Sequence, residues 1–235
     1  MARTVNPRLH AERRNQILDV AQHLIETIGY EQMTIQDVVE ALQISKGALH
    51  HYFRTKPALL EALVERSLDE LEQIVTQLAD APELPAIAKF QQFFALMVEW
   101  KSARQPLMLA LLRSWHQDDN AIVRQKVRAA TLARLGPLLT RIVHQGLREG
   151  CMSASEPDQV GDIILALIHG LQDHLARLHH NYAASHTELA YRNAVLAVHS
   201  AYLEALERVV GVAPGTLQRL DPATVQHWLT VLHDA

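Results

Sequence analysis

The residues best able to do chemistry lie in one stretch, Ile44-Ser45-Lys46-Gly47-Ala48-Leu49-His50-His51-Tyr52-Phe53-Arg54-Thr55-Lys56. It is cationic at both ends and sets two adjacent histidines between Leu49 and an aromatic pair. Such a run could hold a metal, move a proton or meet an anionic surface. Neighbouring residues on a helix point about 100° apart, so His50 and His51 cannot easily share one ion. His50 falls on the face of Lys46 and Gly47, where an imidazole could bond a phosphate or a guanine edge. His51 points away from that face. The small Gly47 and Ala48 let the start of the helix approach a groove, and its dipole favours phosphate there.

The other histidines are many, 14 in 235 residues. His169, Asp173 and His180 share one helical face, and with His116 or His144 they could bind a metal. A solvated polar face is the favoured reading, because no HExxH or Cys/His pair marks a site. No Ser/His/Asp order, phosphate loop or carboxylate pair stands out. No catalytic residue, metal or cofactor is therefore assigned. The rival reading is a helical His-rich metal-binding protein or enzyme that does not bind DNA.

These residues must be positioned by helices. The chain is almost half hydrophobic, with a net charge of −4 and few aromatic, glycine and proline residues, as in an ordinary globular helical protein. Residues 1–60 carry seven Lys/Arg and six Asp/Glu, against 22 and 26 for the whole chain, so the front is mildly basic and the rest acidic. Cys151 is the single cysteine, which suits a reducing cytosol. No apolar h-region follows the N-terminal arginines. The longest apolar run, Ile163 to Ile168, is far below the ~20 residues that span a bilayer. A cytoplasmic location with no membrane contact is expected.

The periodicity predicts a helix over Leu9–Ile28, with Ile17, Ala21, Leu24, Ile25 and Ile28 on one face and Gly29 as the stop. Thr34 caps a short helix to Leu42, with Asp37 three residues on. A break at Gln43-Ile44 precedes Ser45, which caps a second short helix from Lys46 to about Phe53. Pro57 opens a long helix through Leu78, and Ala81 to Pro85 breaks it. Further helices are expected after that break, with Phe90, Phe93, Met97 and Trp100 on one side, from Pro106, and over 121–149 with a bend at Gly136-Pro137. Two more run over Pro157–His180 and Thr187–Val210. Asp221-Pro222 starts a final short helix. No strand is expected.

The pair Thr34–Leu42 and Lys46–Phe53 forms a helix-turn-helix pattern. Leu49 and Phe53 would hold the second helix on the core. The residues Ile17, Ala21, Leu24, Gly29-Tyr30, Thr34 to Val38, Ile44 to Leu49, Tyr52-Phe53, Lys56 and Leu59-Leu60 carry a resemblance. The stretch from Ile17 through Leu63 resembles the DNA-binding domain of the tetracycline-repressor (TetR) family, with no insertions. The resemblance implies an all-α fold. An N-terminal three-helix helix-turn-helix DNA-binding domain, residues 1–56, would precede a larger helical ligand-binding and dimerisation domain, residues 57–235. It implies a homodimeric repressor of double-stranded operator DNA, released by an unknown small-molecule effector.

Site residues follow from the same resemblance. Thr34 would cap its helix and touch a phosphate, and Gln36 would lie near bases or backbone. Lys46, Gly47 and Ala48 would sit at the major-groove edge, and Tyr52 and Lys56 would clamp phosphates. Arg3, Arg8, Arg13 and Arg14 would add backbone charge. Phosphate contacts set register and base edges specify sequence. Three departures bear on docking. His50 stands where the family usually has a tyrosine, Gln43 where it has a glycine, and Val39 and Leu42 exceed the usual alanines.

In the rear unit, Val160, Ile164, Leu167, Leu171, Leu175 and Leu178 step by three and four. Leu189, Leu196, Leu203, Leu206 and Val210 recur on the next helix. These stripes fit a four-helix bundle across a two-fold axis, made from 157–180 and 187–210 of each chain. Phe93, Met97 and Trp100 share a face, as do Met108, Leu111 and Trp115. With His144 or Arg113 they could line an apolar effector pocket, although such stripes are more often core.

Overall fold

The computed structural model describes residues 6–105, 107–108, 121–185 and 187–226, the side chains of 180–185 excepted. The expectations for Arg3, Leu111, Arg113, Trp115, His116 and the His180 side chain lie outside these residues. The principal helices of the described residues are α1 Pro7–Ile28, α2 Ile35–Leu42, α3 Lys46–Tyr52, α4 Lys56–Asp80, α5 Ala86–Ala103, α6 Ala121–Arg148, α7 Pro157–Ser185 and α8 Glu188–Val209. No strand occurs among the described residues. The chain divides into two compact units, Met1–Glu70 with Trp100–Val127, and Leu71–Glu99 with Arg128–Ala235. Residues 1–56 fall wholly in the first.

The first unit is built on α1. Asn6 caps it by accepting from Arg8 N–H at 3.1 Å, and Pro7 sits where no backbone donor is needed. Ile17, Leu18, Ala21 and Ile25 are buried at the expected spacing. Val38 and Val39 from α2, Leu49 from α3, and Leu59, Leu60 and Leu63 from α4 close over them. Each such side chain contributes about 1.5–3 kcal/mol by leaving water. Ile28 departs from the expected face. It is exposed, because it ends the helix just before Gly29 turns the chain at φ 86°. Arg66 on α4 ties back to α1, reaching Asp19 at 2.6 Å and Gln22 at 2.8 Å.

The second unit has a tight crossing at its centre. A methyl group at Gly161 of α7 would lie 2.1 Å from the Gly136 carbonyl oxygen of α6 and 2.4 Å from Thr140 Oγ1. Only hydrogen fits there. The expected bend at Gly136-Pro137 does not end the helix: α6 continues with Pro137 inside it. Val160 and Ile164 are fully buried on α7, whereas Leu167, Leu171, Leu175 and Leu178 remain half-buried. On α8, Leu203 and Leu206 are buried, as is the capping Val210, but Leu189, in the first turn, is exposed. Near the end of α8, Glu207 accepts Leu217 N–H at 2.8 Å and pairs with Arg219, which folds residues 211–220 back against the helix. Asp221 then accepts from Ala223 N–H at 3.0 Å, opening a short helix over 222–226 as expected. No described helix is long and apolar enough to cross a membrane.

Candidate nucleic-acid interface

The interface begins with a cap. Thr34 N–H and Thr34 Oγ1 donate to Asp37 Oδ2 at 2.7 and 2.8 Å, and Asp37 N–H donates back to Thr34 Oγ1 at 3.2 Å. This reciprocal box starts α2 where the sequence predicts. The bonds from Thr34 hold the Asp37 carboxyl below its ordinary pKa, backbone N–H first and hydroxyl second. Gln36, on the exposed side of α2, donates to Glu40 at 2.9 Å.

Gln43 makes the turn. It adopts φ 52°, ψ 43°, and is the one non-glycine with positive φ among the described residues. That is the left-handed conformation a glycine would supply without steric cost. The sequence departure at this position therefore changes the residue but keeps the geometry. Ile44 N–H returns to Val39 O at 3.2 Å and closes the turn.

Ser45 then caps α3, accepting from Ala48 N–H at 3.1 Å. Leu49, fully buried, and Phe53, 5% exposed, fasten α3 to the core. Ser45, Lys46, Gly47 and Ala48 are all exposed. A methyl group at Gly47 would meet nothing nearer than Ser45 Oγ at 4.0 Å. Packing within the chain therefore does not demand a glycine there. His50 is half-buried on this helix, with His51 exposed beside it.

Several of the expected backbone-contact residues already have partners within the chain. Tyr52 stacks on His10 of α1, with ring centroids 4.6 Å apart and 30° between planes. His51 meets the Tyr52 ring edge-on at 5.4 Å. Lys56 Nζ donates to Glu31 O at 3.0 Å and sits 4.4 Å above the Tyr30 ring. Burial lowers the Lys56 pKa, and Glu31 opposes that in part. Arg14, expected to add free charge, lies 5.5 Å over the Phe53 ring, and Arg8 pairs with Glu12 at 3.0 Å. Spacing along the chain gave no sign of His10, because its partner lies on another helix.

The residues suggested for an effector pocket divide between the units. Trp100 and Met108 belong to the first, and Phe93, Met97 and His144 to the second. Phe93 is fully buried against Phe94, rings 5.3 Å apart. Met97 is half-buried. Trp100 lies beneath the Arg104 guanidinium at 4.7 Å, and its indole N–H is buried without a partner. His144 bonds Asp158 at 2.8 Å. Of the suggested metal face, Asp173 is paired with Arg128.

A capped helix-turn-helix with an exposed second helix defines the class, a helical protein built to present α3 outward. The sequence profile of the family described as "Bacterial regulatory proteins, tetR family" matches residues 17–63. The regulator BetI of Paraburkholderia phytofirmans is 29% identical over 123 residues, 52% of this chain and 63% of that one. The match thus spans under two thirds of that relative. BetI of Burkholderia ambifaria is 28% identical over 162 residues, 68% of this chain and 79% of that one. Both are named HTH-type transcriptional regulators. A TetR-family transcriptional regulator from Pectobacterium atrosepticum has the same fold, with a TM-score of 0.65 at 18% identity over 89% of this chain and 99% of that one. Residues 17–63 thus carry a domain of the tetR family of bacterial regulatory proteins, on a chain whose helical fold is that of solved tetR-family regulators.

Proposed function

We propose that this chain is a sequence-specific DNA-binding transcriptional regulator that acts as a homodimeric repressor in the cytoplasm and has no catalytic role. The observation that carries the reading is the exposed first turn of α3, Ser45 to Ala48, held by Leu49 and Phe53 behind a capped turn. Lys46, Gly47, Ala48 and His50 would enter the major groove. Thr34, Gln36, Tyr52 and Lys56 would meet the backbone, Lys56 by exchanging the Glu31 carbonyl for a phosphate oxygen. A dimer built from α7 and α8 would cover the half-buried leucines of α7 and the exposed Ile163 and Leu189. It would also set two half-sites roughly 34–36 Å apart, or a multiple of that spacing. An unknown small-molecule effector would lower operator affinity.

The test is selection of duplexes from a random pool, followed by footprinting and titration with salt. A recovered two-fold-symmetric site whose affinity falls steeply with salt is expected, from the counterions that phosphate contacts release. Recovery of no sequence, together with stability that depends on added metal, would favour the rival metal-binding reading.

A further inference from the structure

Tyr52 is the last residue of α3, and Phe53 beyond it is already extended at φ −137°. No following turn of helix supports the Tyr52 ring. Its own helix offers little on the preceding turn, since Ala48 is small and Leu49 is fully buried in the core. The ring is nonetheless held on two sides. His10, from the second turn of α1, stacks against its face at 4.6 Å and 30°. His51 meets it edge-on at 5.4 Å and 83°, and His10 and His51 meet each other at 5.9 Å and 84°. His10 and Tyr52 are both half-buried, while His51 is exposed. The three rings form a small cluster joining the start of α1 to the end of α3. Aromatic pairs at these separations favour such stacked and edge-on arrangements over free rotation.

We propose that His10 is a positioning residue for Tyr52: its imidazole fixes the phenol ring so that the hydroxyl is presented to a DNA backbone phosphate. The inference rests on the DNA-binding reading above. A tyrosine at a helix end, left alone, samples several rotamers, and each places its hydroxyl several ångströms from the others. A phosphate contact made by a preset rotamer does not carry that ordering cost at binding. The role needs a flat ring at position 10 and not a proton, so an aromatic replacement without nitrogen serves as well. His51 adds the second wall, and because it is exposed its own removal matters less.

The experiment uses the full chain and a duplex that the parent has itself selected from a random pool. His10→Ala lowers affinity about 3- to 10-fold, the range set by one aromatic pair. His10→Phe stays within about twofold of the parent, since a phenyl ring restores the stack. The slope of log affinity against log salt falls by about one in His10→Ala, as for one lost phosphate contact. In a Tyr52→Phe background, which lacks the hydroxyl, His10→Ala has no further effect. His10→Leu, which keeps apolar bulk without a flat ring, behaves like His10→Ala and covers the case in which alanine unfolds the unit. Parent-like affinity in every His10 variant overturns the proposal. So does a loss that persists in Tyr52→Phe and is not rescued by phenylalanine, because His10 would then be touching DNA itself. If the parent selects no duplex at all, it is the DNA-binding reading that fails.

Discussion

Arg219 grips both carboxylate oxygens of Glu207, Nη1 to Oε1 at 2.9 Å and Nη2 to Oε2 at 2.8 Å. Glu207 is almost fully buried and also accepts Leu217 N–H. Removing the guanidinium strands a buried negative charge. Arg219→Met is expected to cost about 2–3 kcal/mol, less than a fully enclosed pair because Arg219 is itself about a third exposed. Arg219 is the main cause that holds the Glu207 pKa below its ordinary value. A lowered carboxylate pKa stabilises the fold above the unfolded-state value, and that contribution is lost as pH falls through the folded one. Urea midpoints of the parent should therefore drop below about pH 5, and the drop should shrink in Arg219→Met. An unchanged midpoint at neutral pH would leave the pair without a role.

The left-handed turn at Gln43 stores a backbone cost. Gln43→Gly relieves a penalty of about 1–2 kcal/mol and gives back part of it in chain entropy. A net gain of roughly 0.5–1 kcal/mol is expected in thermal unfolding. Gln43→Val should lose stability, since β-branching disfavours positive φ. Equal melting temperatures for all three would contradict the geometry.

Glycine 161 and glycine 150 separate two kinds of constraint. Gly161→Ala forces a methyl group against the Gly136 carbonyl, and α6 and α7 must move apart. About 1–3 kcal/mol or more is expected. Gly150 has open space around its missing side chain but a φ of +71°. Gly150→Ala should cost only the left-handed penalty, about 1 kcal/mol. Denaturant titration of both variants should rank them in that order.

Lys101, near the end of α5, is half-buried, and the partial loss of water around its ammonium lowers its pKa to about 8. The unfolded chain binds that proton up to about pH 10.5. The destabilisation is therefore fully present below pH 8 and fades as pH rises toward 10.5. Lys101→Met should melt higher than the parent at pH 7, and the difference should narrow by pH 9.5. A difference that does not change with pH would assign the effect to packing.

Much of the fold was legible because caps and turns are local. Thr34, Ser45 and Thr187 each accept a backbone N–H three residues on, as their residue types predict. The missing glycine at Gln43 marked the strained turn. Contacts between distant parts of the chain left no spacing to read. His10 against Tyr52 and Glu207 against Arg219 belong to that group, as does Glu149, which accepts Ala86 N–H at 2.8 Å at the start of α5. Pro137 sits inside α6, in keeping with the expected single helix over 121–149, since the helix continues on either side of the one bond a proline removes.

The Thr34 box has a consequence for exchange. The Thr34 hydroxyl has one proton, and it is already given to Asp37. An oxygen arriving from outside must take that proton from a carboxylate that keeps its other bonds to the cap. Swapping one oxygen acceptor for another changes little in net energy. Thr34 would then add almost nothing to how tightly a partner is held, while still fixing where that partner can sit.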